Sequence, residues 1–513
     1  MTTASPTVRP PAASIRSRFG ATDAVFFATL ALQIAFILAL RYCPYADATN
    51  HLARIVLMEA WWFGQAPPYV QVDFIPTQYL LLDLLGVGLV HWFSAALAYK
   101  VLTLLSLIAM PLGMYVLLRV TAPSRRGWAT VAVLLSLNWY FFWGFFYYLV
   151  AIGVLLVCLA LYFRHLETRS RRTAVGLALV APTLVLLHKS AAICLLAVVC
   201  IDVFLRLLPR WRREPAAQPL AAITRPALFL FPMVLLAAII SLTDPRIPDE
   251  LRVLDFRGPA SKLSHLVAPL YAFTLTQAVM LTGAYTACLL VFVVTNRHAI
   301  RFAPIGLGAL SLLLLYLISP VGGFGTYYTD ERFLLPSLLL PFCLMDQRPA
   351  RHSASRHWHL VAVAGVLVHL AILAPRLLRI DQQLADAHAA MRHLEPGSTV
   401  LPLIADSRRD GRMAPYLHFA HWHVIDTHGR VPRTFNWPEY TFYYHFRFNT
   451  SPTWTPDFSW GTTEFQPLDW ALIREQYQYI VLHGRDPRAH QQITPHATLL
   501  AEAGETSVYR IND

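Results

Sequence analysis

Apolar runs follow one another from residue 24 to residue 375 with no long polar stretch between them. At 1.5 Å rise per residue, a helix needs about 20 apolar residues to cross the hydrocarbon core of a bilayer. Candidate spans fall at 24–42, 99–119, 128–141, 145–163, 174–187, 190–208, 225–242, 268–294, 303–319, 332–346 and 358–375, several of them short. A further run at 79–92 is only 14 residues long and contains Asp83, so it reads as an interfacial or re-entrant helix. The pattern predicts eleven spans, or twelve if 79–92 also crosses. Beyond Pro375 the apolar runs stop: 378–394 is amphipathic and helical, and 398–404 and 478–483 are strand-like. The expected fold class is an all-α polytopic membrane protein of about 11–12 transmembrane helices with a small C-terminal α/β extramembrane domain.

The loops orient this bundle, because short loops with excess Lys and Arg stay on the cytoplasmic side. Such loops are the N-terminus (Arg9, Arg16, Arg18), 119–126, 164–172, 206–213, 297–301 and 348–356. The 243–262 loop instead balances Arg246, Arg252, Arg257 and Lys262 against Asp244, Asp249, Glu250 and Asp255. The expected organisation is a disordered cytoplasmic tail at 1–22, a polytopic domain at 23–375 with an external loop at 43–78, and an external, periplasmic domain at 376–513. The expected location is the inner, cytoplasmic membrane, with the N-terminus inside and the C-terminus outside.

Composition enters through what it excludes. The chain is 56% hydrophobic and 14% charged, against about 25% charged for a soluble protein, which rules out a soluble enzyme with one anchor. The net charge of +12 lies in the loops just described, and no nucleic-acid motif accompanies it, so no nucleic-acid partner is expected. The six cysteines lie almost entirely inside or at the edge of apolar runs, which implies neither a disulfide framework nor a metal knuckle. The first apolar run, 24–42, contains no A-x-A-like cleavage site and reads as an uncleaved helix.

Three polar segments could carry chemistry. If a helix begins near Asp47, then Asp47, His51 and Arg54 share one face at the outer membrane surface. A carboxylate there can take a proton from an attacking hydroxyl, with His51 or Arg54 orienting it or stabilising leaving-group charge. The alternative is that Asp47 caps the helix through the amide of residue 49 or 50. His188 and Lys189 stand at a turn between two runs; Lys189 either snorkels to headgroups or offers a compact charge to a phosphate. Asp330, Glu331 and Arg332 open the tenth span after a glycine-rich loop, where Arg332 either clamps phosphate oxygens or pairs with a neighbouring acid.

Two further features stay open. His418, His421, His423, His428 and His445 could hold zinc, yet no H-E-x-x-H pattern or Cys partner accompanies them. The aromatic run from Asn138 to Tyr148 is either an interfacial belt or the lining of a lipid or sugar groove.

With the loop acid at Asp47 to Arg54 and the motif from Asp330 to Pro336, the chain resembles a bacterial branch of the GT-C superfamily of integral-membrane glycosyltransferases. The resemblance implies sugar transfer from a polyprenyl-phosphate donor to an envelope glycan, lipid or protein acceptor on the outer face, with inversion. It implies Asp47 at the position of the loop acid and Arg332 suited to the donor phosphate; taken with the segments above, the expected catalytic groups are Asp47 and His51, and the expected substrate-binding groups are Arg54, His188, Lys189, Glu331 and Arg332. Many such enzymes pair two acids in this loop, whereas Ala46 and Ala48 flank Asp47, so no metal or other cofactor is expected. The competing classes are a transporter or flippase, against which no inverted repeat is found, and a non-catalytic envelope assembly protein.

Overall fold

The computed structural model describes residues 19–73, 79–211, 220–243, 254–296, 304–323, 326–343, 359–405, 411–432, 445–448 and 468–512. The tail before residue 19 and the loops at 297–301 and 348–356 lie outside these residues. In chain order the first ten helices are α1 (Ala21–Ala39), α2 (Ala48–Trp62), α3 (Leu80–Trp92), α4 (Ala95–Thr121), α5 (Thr130–Ser136), α6 (Trp139–Trp143), α7 (Phe146–Thr168), α8 (Arg171–Leu187), α9 (Lys189–Trp211) and α10 (Leu220–Leu228). There follow α11 (Phe231–Thr243), α12 (Pro259–Ser264), α13 (Leu275–Asn296), α14 (Pro304–Ile318), α15 (Leu334–Leu339) and α16 (Leu360–Met391).

Among the described residues six helices are long and apolar enough to cross a membrane: α1, α4, α7, α9, α13 and α16. The chain is a multi-pass integral membrane protein. The other five expected spans are shorter or interrupted. The 128–141 run divides into α5 and α6 because the Asn138 side chain starts a new helix by accepting from the Phe141 amide, and these residues are buried in the bundle. The 225–242 run divides into α10 and α11, while 332–346 becomes α15 with short 3-10 turns on either side. α8 and α14 stop at 17 and 15 residues. The 79–92 run forms α3, only 13 residues long.

α4 and α7 pack at the centre. A Cβ on Gly113 would lie 2.4 Å from the Gly153 carbonyl oxygen, and one on Gly153 equally close to Ala109, so these glycines let the two backbones touch. α1 and α4 run antiparallel. At one end of the bundle the Tyr115 hydroxyl of α4 donates to Asp23 at the start of α1 (2.7 Å), and Asp23 also pairs with Arg126. At the other end the Tyr99 hydroxyl donates to the Cys43 carbonyl (2.9 Å).

α16 runs unbroken through Pro375 to Met391 and leads into the C-terminal domain. That domain carries α17 (His421–Thr427), α18 (Trp470–Gln476) and α19 (Pro487–Ile493). The strands of the chain are β1 (Val70–Asp73), β2 (Gly322–Gly323), β3 (Thr326–Tyr327), β4 (Val400–Ile404), β5 (His445–Phe448), β6 (Tyr479–His483), β7 (Ala497–Ala503) and β8 (Thr506–Ile511). A mixed sheet of order β4-β6-β8-β7 pairs β4 parallel to β6 and the others antiparallel. Leu401, Leu403, Ile480 and Leu482 pack on Ile473 and Ile493 in a core separate from that of the bundle. β1 pairs with β5, and β2 with β3 in a short hairpin. The expected class, helical bundle plus small α/β domain, is the observed one.

Candidate active site

The loop after α1 is pinned to the aromatic turn of α6. The amides of Ala46 and Asp47 donate to the carbonyls of Phe142 (3.1 Å) and Trp143 (2.9 Å). Gly144 ends α6 at φ 94°, and a Cβ there would stand 2.8 Å from the Ala48 amide nitrogen, so this close approach needs glycine. Asp47 occupies the N-cap position of α2 but makes no side-chain capping bond. Its carboxyl is hydrogen-bonded by the Trp143 side chain and lies 3.5 Å from His418 Nε2 of the C-terminal domain. Burial pushes its pKa up to about 8, against the opposing effect of the Trp143 bond. One and two turns further along α2, His51 lies against the Tyr147 ring (4.9 Å between centroids), and Arg54 donates to the Tyr147 hydroxyl (2.9 Å). Burial, and then the charge of Arg54, hold His51 well below its usual pKa, so it stays neutral.

A second cluster surrounds the start of the tenth predicted span. Asp330 accepts from Lys262 Nζ (2.6 Å), and Glu331 is gripped by Arg257 (2.6 Å) and by Arg412 of the C-terminal domain (3.0 Å). The Arg412 guanidinium also lies over the Trp139 ring at 4.2 Å. Both acids beside Arg332 are thus held by other cations. The Arg332 guanidinium stands over the Phe145 ring at 5.6 Å, and its carbonyl accepts from Tyr148 (2.6 Å). His188 packs edge-on against Tyr79 and Tyr148; burial and the charge of Arg332 lower its pKa. Trp143 and Phe145, whose centroids are 6.5 Å apart, connect the Asp47 side to the Arg332 side. Tyr79 (φ 79°) and Tyr328 (φ 57°) hold left-handed backbone beside the two clusters, a strain of about 1–3 kcal/mol each of the kind that gathers at functional sites.

Neither a protein-family model nor a curated protein sequence matches the chain. Among solved structures, that of ArnT from Cupriavidus metallidurans bound to undecaprenyl phosphate matches over 96% of this chain and 98% of its own, with a TM-score of 0.50 and 15% identity. The likeness is one of fold: this chain folds like that ArnT structure. Arabinofuranosyltransferase AftD from Mycobacteria matches at TM-score 0.46 and 15% identity, over 95% of this chain and 41% of AftD. The apo oligosaccharyltransferase of Archaeoglobus fulgidus matches at 0.46 and 14%, over 89% and 69%.

The fold brings the three predicted segments to one end of the bundle, but not every residue to one role. Asp47, His51 and Arg54 do share a face. The Arg54 guanidinium, however, is spent on a buried pair with Asp83 of α3 (2.6 and 2.8 Å), which is why Asp83 is tolerated in an apolar run. Glu331 likewise ties the 254–264 segment and the C-terminal domain to the bundle. Lys189 is half-buried as the first residue of α9. The sequence did not single out Lys262, Arg257, Arg412 or Tyr328 as site residues; it named Tyr147 only within the aromatic run and His418 only within a disfavoured zinc set. Among the described residues no group of three or more His, Cys, Asp or Glu comes together as metal ligands. His421 Nδ1 faces the His418 carbonyl (3.0 Å), and His423 faces Ser398 and Thr427.

Proposed function

We propose that the protein is a membrane glycosyltransferase that moves a sugar from a polyprenyl-phosphate donor to an envelope acceptor on the outer face of the cytoplasmic membrane, with inversion at the anomeric carbon. The observation that carries this reading is Asp47: a buried carboxyl, free of capping duty, at the end of the bundle where a membrane-anchored phosphosugar would lie. An acceptor hydroxyl attacks the anomeric carbon and its proton passes to Asp47. The bond from that carbon to the phosphate oxygen breaks, and its electron pair leaves on the polyprenyl phosphate. Arg332 offsets the developing charge through its planar fork of donors, assisted by Lys189. His188, held neutral, can donate or accept a hydrogen bond there without a charge of its own. Three cations (Arg257, Lys262, Arg412) hold two acids (Asp330, Glu331), and with Arg332 beside them this cluster is net positive, which suits an anionic lipid.

The opposite end carries Arg125, Arg126, Arg169, Arg171 and Arg172, and the charge rule assigns it to the cytoplasm. Asp47 and the C-terminal domain then face outward, where a lipid-linked donor and an envelope acceptor meet. The test uses purified protein in proteoliposomes with a panel of labelled polyprenyl-phosphate sugars and envelope extract as acceptor. The wild type should transfer label from at least one donor and Asp47→Asn from none. Retained transfer in Asp47→Asn, or label crossing the bilayer without transfer, would overturn the reading.

A further inference from the structure

His418 comes from a segment 371 positions after Asp47 and belongs to the C-terminal domain, yet it is held tightly at the start of α2. Its carbonyl accepts from the Thr49 hydroxyl (2.7 Å) and faces His421 Nδ1 (3.0 Å), and its ring stands edge-on to the His421 ring at 5.0 Å. The Asn50 side-chain nitrogen approaches His418 Nδ1 at 3.3 Å. An amide nitrogen carries hydrogens and no free lone pair, so Nδ1 must accept. In a neutral imidazole the proton then sits on Nε2, the nitrogen 3.5 Å from Asp47 Oδ1. At 3.5 Å the pair is within ion-pair reach but longer than an ordinary hydrogen bond, and a shift of a few tenths of an ångström closes it.

We infer that His418 is a positioning residue for Asp47: the C-terminal domain supplies a neutral imidazole whose tautomer Asn50 fixes, so that its Nε2–H donates to the carboxylate and favours the form able to take a proton. The inference rests on the reading of Asp47 as the base. It gives the C-terminal domain a task at the reaction centre rather than only a place beside the membrane.

The surroundings of Asp47 support this assignment. From α6, the Trp143 side chain donates to it. From the segment after β3 comes Tyr328, which interacts electrostatically with Asp47 and has Arg412 behind it. From α2 itself, His51 turns to Tyr147. Burial raises the pKa of Asp47 to about 8, so a donor that stabilises the ionised form decides how much base exists near neutrality. Loss of such a donor should raise the midpoint by about one pH unit and cut the ionised fraction at pH 7 roughly tenfold.

The experiment follows the infrared C=O stretch of the protonated Asp47 carboxyl against pH in full-length protein in detergent, the band being identified by its loss in Asp47→Asn. His418→Phe keeps a flat ring against His421 but has no N–H, whereas His418→Gln keeps a donor near the Nε2 position. The midpoint should rise by about one pH unit in His418→Phe and return most of the way in His418→Gln. If His418→Phe does not purify as a monodisperse species, Asn50→Leu replaces it; releasing the tautomer should move the midpoint the same way by less. An unmoved midpoint in the variant measured overturns the inference. The transfer assay separates the two ideas: activity in Asp47→Asn sinks the proposed function and leaves the infrared result standing, while an inactive Asp47→Asn with an unmoved midpoint sinks the role of His418 alone.

Discussion

Replacing Asp47 by Asn should abolish transfer and at the same time stabilise the protein above acidic pH. The carboxyl has an ordinary pKa of 3.8 and is pushed up to about 8 in the fold. Between those values the native state keeps a proton that the unfolded chain has released. The native state then binds more protons, and stability falls as pH rises. The fall begins near 3.8 and levels off above about 8. At about 1.4 kcal/mol per pH unit it amounts to about 4 kcal/mol at pH 7 as an upper bound. Partial water access and residual order in the unfolded chain reduce this to a measurable gain of about 1–3 kcal/mol. Asn bears no charge at any of these pH values and can still accept the Trp143 bond. The assay is thermal unfolding in detergent, followed by tryptophan fluorescence from pH 4 to pH 9 for both proteins. Their difference should be near zero at pH 4 and widen in favour of Asp47→Asn up to about pH 8. A variant no more stable than wild type at pH 8, or a gap constant across the range, would refute the argument.

Three other outcomes are expected. Asp83→Asn leaves Arg54 buried with a neutral partner and should cost about 3–5 kcal/mol in thermal unfolding, much of it recovered in Arg54→Met with Asp83→Leu; a neutral single variant speaks against the buried pair. Arg332→Lys keeps the charge but loses the planar fork, so if the proposed donor site holds, affinity for polyprenyl phosphate, measured on purified protein, should drop about tenfold or more, and an unchanged affinity removes Arg332 from that site. Reporter fusions at Arg172 and Asp381 should give opposite compartment signals; the same signal from both contradicts the proposed orientation.

The membrane class was legible because the apolar runs are many and local, although among the described residues only six of the eleven form helices long enough to cross. Interruptions were harder to see. Asn138 reads as one polar residue in an aromatic stretch, and only its bond to the Phe141 amide turns it into the start of a new helix. The shared face of Asp47, His51 and Arg54 followed from helical spacing alone. Which of the three is occupied elsewhere did not, because Asp83 lies 29 positions from Arg54 and its place in an apolar run hinted at a partner without naming one. Arg412 and His418 were further out of reach. They approach the bundle from the C-terminal domain, and nothing local to them distinguishes a residue that closes a site from one on a solvated surface. The histidine cluster stood out, but only as a zinc set that its spacing disfavours, and nothing in it foretold the separate bonds its members make.

The unbroken passage of α16 from the bundle into the C-terminal domain has a mechanical consequence. Its 32 residues amount to about 48 Å at 1.5 Å each, some 18 Å more than a hydrocarbon core of about 30 Å requires. The surplus acts as a mast that sets both the height and the heading of the domain. Each residue added to a helix turns everything beyond it by about 100°. His388 of α16 is itself hydrogen-bonded to the Tyr42 hydroxyl, so a single insertion near Pro375 would swing His388, Arg412 and His418 away from Tyr42, Glu331 and Asp47 together, whereas seven residues, two turns less about 20°, would restore the heading but lift the domain by about 10 Å. Neither change preserves all three ties, so the length of this helix is fixed by the site as firmly as by the bilayer.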